Sequence, residues 1–367
     1  MVRKAEKNYF FRLSAYADAL LQLLGSGEVF DVKPTARKNE VIARIRDGLN
    51  DVPISRKGSG DWGIKIPGDD EHTIYVWIDA LINYLSTVDT DDRRAYWPAD
   101  VHFIAKDILW FHAVIWPAML TSLAKQPGYE WVRLPKLVYA HSFWIAEGMK
   151  MSKTLGNFID LEKIDHYVET FGLDALRYFL ATQGPMGTTD SDFAESKFIE
   201  TYNTDLANTF GNSFSRVSNM TVRYFDGKLP APGEEPEAVS GSGGIEHDRV
   251  IDQAVREYTR AMEALELSKA ADAAMSIVRA VDSYIEATQP FTLAKQADKL
   301  PQVGTVLYNC AESLRVASLL LLLAVLPEKV EEMWRRTGCE KYADAAADRR
   351  LGDLDNWRPI RWQQARH

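Results

Sequence analysis

Strand-like and helix-like patterns of apolar residues alternate through the first part of the chain. Residues 73–85 (TIYVWIDALINYL) begin as a β-rich run and continue with helical spacing, and residues 101–120 (VHFIAKDILWFHAVIWPAML) repeat that order of strand, polar turn and helix. Residues 137–145 (LVYAHSFWI) predict a further strand and turn, while residues 8–24 and 38–48 have the spacing of connecting helices. Strands that alternate with helices predict an α/β fold whose parallel sheet binds ligands at the carboxyl ends of its strands.

Helical patterns dominate after about residue 160. Residues 248–289 and 302–326 show long amphipathic or apolar periodicity, which is typical of an antiparallel bundle. Residues 229–244 (LPAPGEEPEAVSGSGG) are rich in Pro, Gly, Ser and Glu and predict a flexible surface loop. We therefore expect an α/β region at residues 1–147, a connecting region at 148–195, an all-α bundle at 196–335 and a tail at 336–367.

We expect neither a membrane span nor bulk attraction to nucleic acid. The most apolar run, residues 316–326 (VASLLLLLAVL), is about half of the ~20 residues that a span needs, and Pro327 ends it, which favours a buried core helix. The N-terminus is basic and then apolar, but acidic residues interrupt it, which indicates a cytoplasmic protein without a signal peptide. Because the formal charge is −9, a nucleic-acid site must be a local basic patch.

The two cysteines offer no metal site. Cys310 and Cys339 are 29 residues apart, with no CxxC spacing and no neighbouring histidine. They can build neither a disulfide framework nor a self-contained zinc site, so we expect no zinc or other metal bound by side chains of this chain. Both are interpreted as packing residues.

The sharpest chemical signal is the stretch MKMSKTLGN at residues 149–157. Lys150 and Lys153 flank Ser152, and Gly156 allows a tight backbone turn. Two lysines on such a loop suit a mobile segment that closes on phosphates and offsets the negative charge that develops on them. Taken alone, the pattern also fits a solvated turn with two surface lysines, so its neighbours must decide.

Two helical faces carry aromatic residues at matching intervals. Trp77, Ala80 and Tyr84 are spaced i, i+3 and i+7 on one face. Ile108, His112 and Trp116 are spaced i, i+4 and i+8 on the other. If the two faces lie opposite each other, their side chains form a pocket that suits a flexible thioether. Sulfur–aromatic contacts stabilise such a ligand by ~0.3–1.5 kcal/mol, and an imidazole N–H can donate a hydrogen bond to the sulfur. The alternative is that both stripes are ordinary core.

Several blocks, in one order from near residue 8 to about residue 330, resemble those of a single enzyme family. They read NYFFRLSAY, ISRKGSGDWGIKIPGD, YVWIDALINYL, IAKDILWFH, WPAML, GMKMSKTLGNFID, GLDALRYFL and NTDLANTFGN. The block around Lys150 to Lys153 resembles the KMSKS signature of class I aminoacyl-tRNA synthetases, and its neighbours narrow the resemblance to the methionyl-tRNA synthetases. Thr154 replaces the usual last serine and keeps the hydroxyl.

The resemblance implies a fold and a reaction. The fold is the second half of a Rossmann-type catalytic domain, followed by a helical anticodon-binding bundle. The reaction joins methionine to ATP, with Mg²⁺, to form methionyl-adenylate, and then transfers the methionyl group to the 3′ end of tRNA(Met). The residues implied in catalysis are Lys150, Ser152 and Lys153. Those implied in methionine binding are Trp77, Ala80, Tyr84, Ile108 and His112.

The resemblance also implies positions that bind ATP, namely Asp107, His141, Met151 and Lys153. Asp107 follows a presumed strand end, where a carboxylate can accept a ribose hydroxyl, although such a residue can also cap a helix. His141 matches the family's AHG block, but Ser142 stands where glycine is usual. We expect its side chain to narrow the approach to the nucleotide.

For tRNA, the resemblance implies that Asn212, Arg216 and Phe291 read the anticodon. Asn212 and Arg216 are four residues apart on a predicted helix, so they share a face and can hydrogen-bond to exposed base edges. Phe291 stands where a stacking tryptophan is common, and a phenylalanine can still stack on a base.

One departure from the family pattern is large. No His-x-Gly-His signature occurs in the chain, and its first block resembles the one that follows the family's connective peptide. We therefore expect either a fragment or a separate partner chain that carries the first catalytic half, and doubtful activity for this chain alone. A catalytically silent tRNA-binding protein is an alternative, as is a synthetase for leucine, isoleucine or valine, which the constellation of Trp77, Tyr84 and His112 disfavours.

Overall fold

The computed structural model describes residues 7–58, 62–236, 239 and 247–336. The backbone divides into two compact units, one within Met1–Phe143 and Pro185–Ser191, the other within Trp144–Gly184 and Asp192–His367. The predicted tail beyond Arg336, including Cys339, lies outside the described residues.

The first unit is mixed α/β. Its strands are β1 (Phe10–Phe11), β2 (Asp31–Lys33), β3 (Val52–Pro53), β4 (Ser55–Lys57), β5 (Lys65–Ile66), β6 (Asp69–Ile74), β7 (Val101–Ala105) and β8 (Leu137–His141). Its helices are α1 (Ala17–Ser26), α2 (Thr35–Arg46), α3 (Val76–Ser86) and α4 (Trp116–Leu123). A π-helical turn, Phe111–Ile115, leads into α4, and a 3₁₀ turn, Lys106–Ile108, follows β7.

Three strands form a parallel sheet, in the order β2-β8-β7. The strand predicted at the start of residues 73–85 is not one of them, because it ends β6, which pairs antiparallel with β4 and β5. The third parallel strand is β2, which the apolar pattern did not predict. Val138 on the central strand pairs with Val32 on one side and with His102 on the other. Strands β4, β6 and β5 make a separate antiparallel sheet, and β1 pairs with β3. The small parallel sheet confirms the α/β expectation for this part of the chain.

Apolar side chains of the helices cover this sheet. Leu20 and Leu24 of α1 and Val41 and Ile45 of α2 are buried, because residues three or four apart share one helical face. Helix α1 ends where Gly27 takes a left-handed conformation (φ 65°), and its N–H donates to the Leu23 carbonyl. The core therefore follows from the apolar spacing along the chain.

The second unit is mainly helical. It begins with the strands β9 (Trp144–Ala146) and β10 (Met149–Lys150), and β11 (Ser191–Asp192) lies at the division between the two units. Its helices are α5 (Leu161–Phe171), α6 (Leu173–Gln183), α7 (Glu195–Thr201), α8 (Asn212–Phe225), α9 (His247–Glu263), α10 (Leu267–Thr288), α11 (Pro290–Leu293), α12 (Leu300–Ala324) and α13 (Pro327–Arg336). A π-helical stretch, Tyr202–Gly211, connects α7 to α8.

Helix α10 packs against α9 and α12 at the centre of this unit. Small buried residues such as Ala270 and Ala274 let the neighbouring helices approach closely. Cys310 is buried on α12, as a packing residue should be, and Leu320 and Leu321 confirm that the apolar run is a core helix. No helix in the described part of the chain is both long and apolar enough to cross a membrane.

The predicted surface loop at residues 229–244 is described at residues 229–236 and 239, and its other residues lie outside the described part of the chain. Its described part is tied to α12: the Gly233 N–H donates to Thr305 Oγ1 (2.8 Å), and Asn309 Nδ2 donates to Glu235 Oε1 (2.9 Å). Prolines and glycines indicated a turn, but they carry no information about partners that are about 70 residues away. Residues 229–236 therefore form an irregular surface connection that is hydrogen-bonded to α12.

Candidate functional site

Two elements of the first unit bring the predicted aromatic residues together. Helix α3 carries Trp77 and Tyr84, and the π-helical turn carries His112. The Trp77 ring stacks on Phe111 with the ring centroids 4.0 Å apart, and the Tyr84 hydroxyl lies 3.0 Å from His112 Nε2. π-helical turns are frequent at functional sites. The structure thus places the aromatic rings and the imidazole in one cluster, as their spacing predicted.

The remaining members of the two faces differ in exposure. Ala80 is exposed on α3, and Ile108 is half-buried at the end of the 3₁₀ turn. Trp116 is fully buried, with its ring centroid 6.0 Å from that of Tyr84. Trp116 is therefore a core residue, whereas Ala80 and Ile108 lie where a ligand can reach them.

The hydrogen bonds of His112 contradict the expected donation to sulfur. The Ile108 carbonyl, 3.0 Å from Nδ1, can only accept, so Nδ1 carries the proton. The ring is only 2% exposed, and burial lowers its pKa, so the imidazole is neutral and Nε2 accepts from the Tyr84 hydroxyl. Both ring nitrogens are occupied, and His112 has no N–H left for a thioether.

His102, which no sequence motif indicated, belongs to the same cluster. It lies on β7, is 6% exposed, and its ring centroid is 4.4 Å from that of Tyr84. Its Nε2 is buried without a hydrogen-bond partner. Burial, and secondarily the nearby His112, lowers the pKa of His102 to about 4. Alternate residues of β7 point inward, so His102 is buried together with Ile104. This alternation does not show that the imidazole of His102 lies close to that of His112.

These two neutral histidines make stability depend on pH. In the unfolded chain their pKa is near 6.5, so acidification protonates the unfolded state first. The stabilisation is complete above pH 6.5 and, for His102, is lost as the pH falls towards 4. For His102 alone this loss is at most about 3 kcal/mol. We expect denaturant unfolding at pH 7 and pH 5 to show it, and His102→Asn to reduce the difference. The same pH dependence in that variant would contradict the assignment.

The carboxyl ends of β7 and β8 lie side by side, because Ala105 pairs with His141. Asp107 follows in the 3₁₀ turn; it is exposed and caps no helix, so the alternative role as an N-cap is not observed. His141 is half-buried, and its Nδ1 lies 2.7 Å from the Ser142 carbonyl, to which it donates. The two predicted nucleotide-binding residues therefore stand at the sheet edge where parallel folds bind ligands.

The expected obstruction by Ser142 is wrong. Its side chain is fully buried, and its Oγ donates to the Gly187 carbonyl at 3.1 Å. Its N–H donates to the Pro185 carbonyl at 2.8 Å. Because the hydroxyl points towards this segment of the same unit, the serine does not narrow the approach to His141.

Residues 149–157, which we call the lysine-rich loop, belong to the second unit. Strand β10, with Lys150, pairs with β9 across a turn in which Glu147 and Gly148 both have positive φ. Lys150 and Lys153 are exposed, and Lys153 Nζ lies 5.8 Å from the centre of the exposed Phe158 ring. Met151 and Ser152 are half-buried, Met151 against a cluster of buried aromatic residues. Both ammonium groups are thus accessible to an anionic ligand.

The predicted anticodon residues also lie in the second unit. Asn212 is exposed at the start of α8, and Phe291 is 47% exposed on α11. Arg216 Nη1 donates to Asp282 Oδ1 on α10 at 3.1 Å, and Ser213 Oγ donates to Asp282 Oδ2 at 2.8 Å. The guanidinium is thereby held in one orientation. Asp282 was missed because nothing in the sequence links it to a residue 66 positions away.

Comparison with known proteins places the chain in a family. Residues 1–218, more than half of its length, match the family described as tRNA synthetases class I (M). The chain belongs to the class I (M) tRNA synthetase family.

The relatives of this synthetase chain that were compared are methionine–tRNA ligases. It is 39% identical over 365 residues to the methionine–tRNA ligase of Caldanaerobacter subterraneus, and 39% identical over 337 residues to that of Bacillus subtilis. These matches cover 98% and 89% of the chain but 52% and 48% of the relatives, so the chain spans about half their length. A crystal structure of Mycobacterium tuberculosis methionyl-tRNA synthetase bound by methionyl-adenylate superposes with a TM-score of 0.81 at 34% identity, covering 99% of this chain and 68% of that one.

The described part of this synthetase chain contains no group of three or more His, Cys, Asp or Glu side chains that could hold a metal ion. The fold of the relatives is retained, with a small parallel sheet followed by a mostly helical part.

Proposed function

We propose that this chain supplies the methionine site, the phosphate-binding loop and the anticodon-binding bundle of a cytoplasmic methionine–tRNA ligase. The observation that carries the proposal is the cluster in which Trp77 stacks on Phe111 beside the hydrogen-bonded pair of Tyr84 and His112. An apolar, polarisable site of this kind fits a thioether side chain. Ala80 and Ile108 would complete the contacts with methionine.

In the proposed reaction, a carboxylate oxygen of methionine attacks the α-phosphorus of ATP. The bond to the bridging oxygen breaks, and pyrophosphate leaves with the electron pair. The terminal hydroxyl of tRNA(Met) then attacks the acyl carbon of methionyl-adenylate, and AMP leaves. Positioning and charge stabilisation dominate such chemistry, so no nucleophilic side chain is needed.

The side chains have distinct proposed roles. Asp107 and His141 would hold the nucleoside, Met151 and Ser152 would shape the loop around the phosphates, and the charges of Lys150 and Lys153 would stabilise the departing pyrophosphate. Mg²⁺ would arrive with the phosphates of ATP, because it binds mainly through substrate phosphates and one or two carboxylates. A separate chain or a longer form of this one would supply the first catalytic half.

The test is pyrophosphate exchange by the 367-residue chain, alone and mixed with the N-terminal half of a full-length relative. We expect exchange with the added half and little without it. Exchange by the chain alone would show that it needs no partner. No exchange in the mixture, together with anticodon-dependent tRNA binding, would favour the second candidate, a catalytically silent tRNA-binding protein. That candidate draws on the exposed Asn212 and Phe291 and on the guanidinium of Arg216, which is hydrogen-bonded to Asp282.

The geometry of His112 changes what its removal should do to ligand selectivity. Because Nε2 accepts from Tyr84 and Nδ1 donates to Ile108, His112→Ala is expected to weaken methionine and norleucine by similar factors. The reference is Trp77→Leu, which removes a sulfur–aromatic contact and should weaken methionine more than norleucine. Calorimetric titration of both amino acids measures these affinities. If His112→Ala weakened the binding of methionine alone, the result would support a direct contact between His112 and the sulfur.

A further inference from the structure

We propose that Asn157 is a positioning residue that closes the base of the lysine-rich loop and thereby holds Lys150 and Lys153 for the reaction. The inference rests on the proposed function for its catalytic consequence, but its structural part stands on the chain itself. Asn157 lies at the end of the loop that begins after β10, and its side chain is half-buried. The resemblance assigned it no role.

The carboxamide of Asn157 makes three hydrogen bonds to the backbone. Oδ1 accepts from the Ser152 N–H at 2.8 Å, and Nδ2 donates to the carbonyls of Ala146 and Lys150, each at 3.2 Å. These partners lie on β9, on β10 and in the loop. One side chain therefore ties both strands of the hairpin to the segment that carries the lysines.

The geometry requires an amide. Two donors and one acceptor must diverge from a single planar group, which among short side chains only asparagine provides. An aspartate at this position would keep the acceptor for Ser152 but would set a negative charge against two carbonyl oxygens. Glutamine would keep the amide at the end of one further methylene. These differences allow the bonds to be tested separately from the size of the side chain.

The loop between these bonds has little other support. Residues 153–156 form a turn in which the Gly156 N–H donates to the Lys153 carbonyl at 3.3 Å, and Gly156 is left-handed with φ 70°. The side chains of Lys153, Thr154 and Leu155 are exposed. Without Asn157 the backbone of residues 152–157 would sample many conformations, and the fraction that presents the lysines productively would fall.

Trypsin measures the structural part directly, because it cleaves after lysine. We expect the 367-residue chain with Asn157→Ala to be cleaved after Lys150 and Lys153 about tenfold faster than the unsubstituted chain, with other tryptic sites unchanged. The reason is that cleavage follows the population of the open loop. Asn157→Asp should be cleaved at least as fast, and Asn157→Gln more slowly than either. The control is Asn219→Ala, which removes an exposed asparagine on α8 of the same unit. Cleavage of Asn157→Ala at the unsubstituted rate would overturn the proposal.

The catalytic part uses pyrophosphate exchange with the added N-terminal half. Asn157→Ala should lower kcat at least tenfold, leave the KM for methionine unchanged, and be partly rescued by Asn157→Gln. Faster cleavage with unchanged kcat would overturn the positioning role. If the unsubstituted mixture shows no exchange, the proposed function fails, and the cleavage rates alone decide whether Asn157 closes the loop.

Discussion

Lys153→Ala is expected to lower the rate of methionyl-adenylate formation about a hundredfold, with methionine binding nearly unchanged. Lys153 is exposed on the loop, and its Nζ lies 5.8 Å from the centre of the Phe158 ring. Its ammonium group is thus available for the negative charge that builds up as pyrophosphate leaves, and removal of one such group commonly costs ~10²–10³ in rate. An interaction made mainly in the transition state lowers kcat and not substrate affinity. Pyrophosphate exchange with the added N-terminal half, together with calorimetric titration of methionine, measures both quantities.

The matched control for this prediction is Lys163→Ala. Lys163 is an exposed lysine on α5 of the same unit, so its removal changes the net charge by the same amount. We expect Lys150→Ala to resemble Lys153→Ala and Lys163→Ala to be silent. If all three variants formed methionyl-adenylate at the same rate, the role proposed for the two lysines of the loop would be wrong.

Much of the fold follows from local patterns, for a physical reason. An amphipathic helix needs a partner for its apolar face, and a short β-rich run between helices needs a sheet that is covered by them. These requirements predicted the buried helix α12 and two strands of the parallel sheet, β7 and β8, but not its third strand, β2. They could not predict that residues 229–236 would be tied to Thr305 and Asn309, because a turn has the same composition whether it is docked or free.

The candidate site shows where helical periodicity stops being sufficient. The interval of four residues between Ile108 and His112 placed them on one face, and the structure does bring them together. However, the chain around His112 is a π-helical turn, and the Ile108 carbonyl accepts a bond from the imidazole itself. Whether a ring nitrogen is free depends on such bonds. The spacing therefore identified His112 as a site residue, but it did not show that the N–H of the imidazole donates to the Ile108 carbonyl and is not free for a ligand.

Contacts between residues distant in sequence account for most of the residues that were missed. His102 reaches Tyr84 from a different element, and Asp282 reaches Arg216 across 66 positions. A single sequence contains no signal for such pairs. Asn157 differs, because its partners are between 5 and 11 residues away. An asparagine just after a glycine turn could have been interpreted as a loop-closing residue from sequence alone.

The pairing of Arg216 with Asp282 leads to the second large effect, in the binding of an anticodon stem-loop. Arg216→Ala is expected to weaken binding of the methionine anticodon stem-loop about 10- to 100-fold, because a guanidinium held in one orientation can form fixed hydrogen bonds to a base edge. Phe291→Ala should have an effect of similar size, since a stacked base contributes ~1–3 kcal/mol. Asp282→Asn should cause a smaller loss, because it frees the guanidinium without removing it. Fluorescence titration at fixed ionic strength measures all three.

Specific recognition and general attraction to phosphate are separated by Arg223→Ala. Arg223 is exposed on the same helix, so its loss removes the same charge from the same element. Binding to phosphates should weaken with rising salt for every stem-loop, and Arg223→Ala should reduce affinity slightly and equally for methionine and unrelated anticodons. Arg216→Ala should instead abolish the difference between the two stem-loops. If both arginine variants keep that difference, the anticodon is not read by Arg216, and its pairing with Asp282 serves only to join α8 to α10.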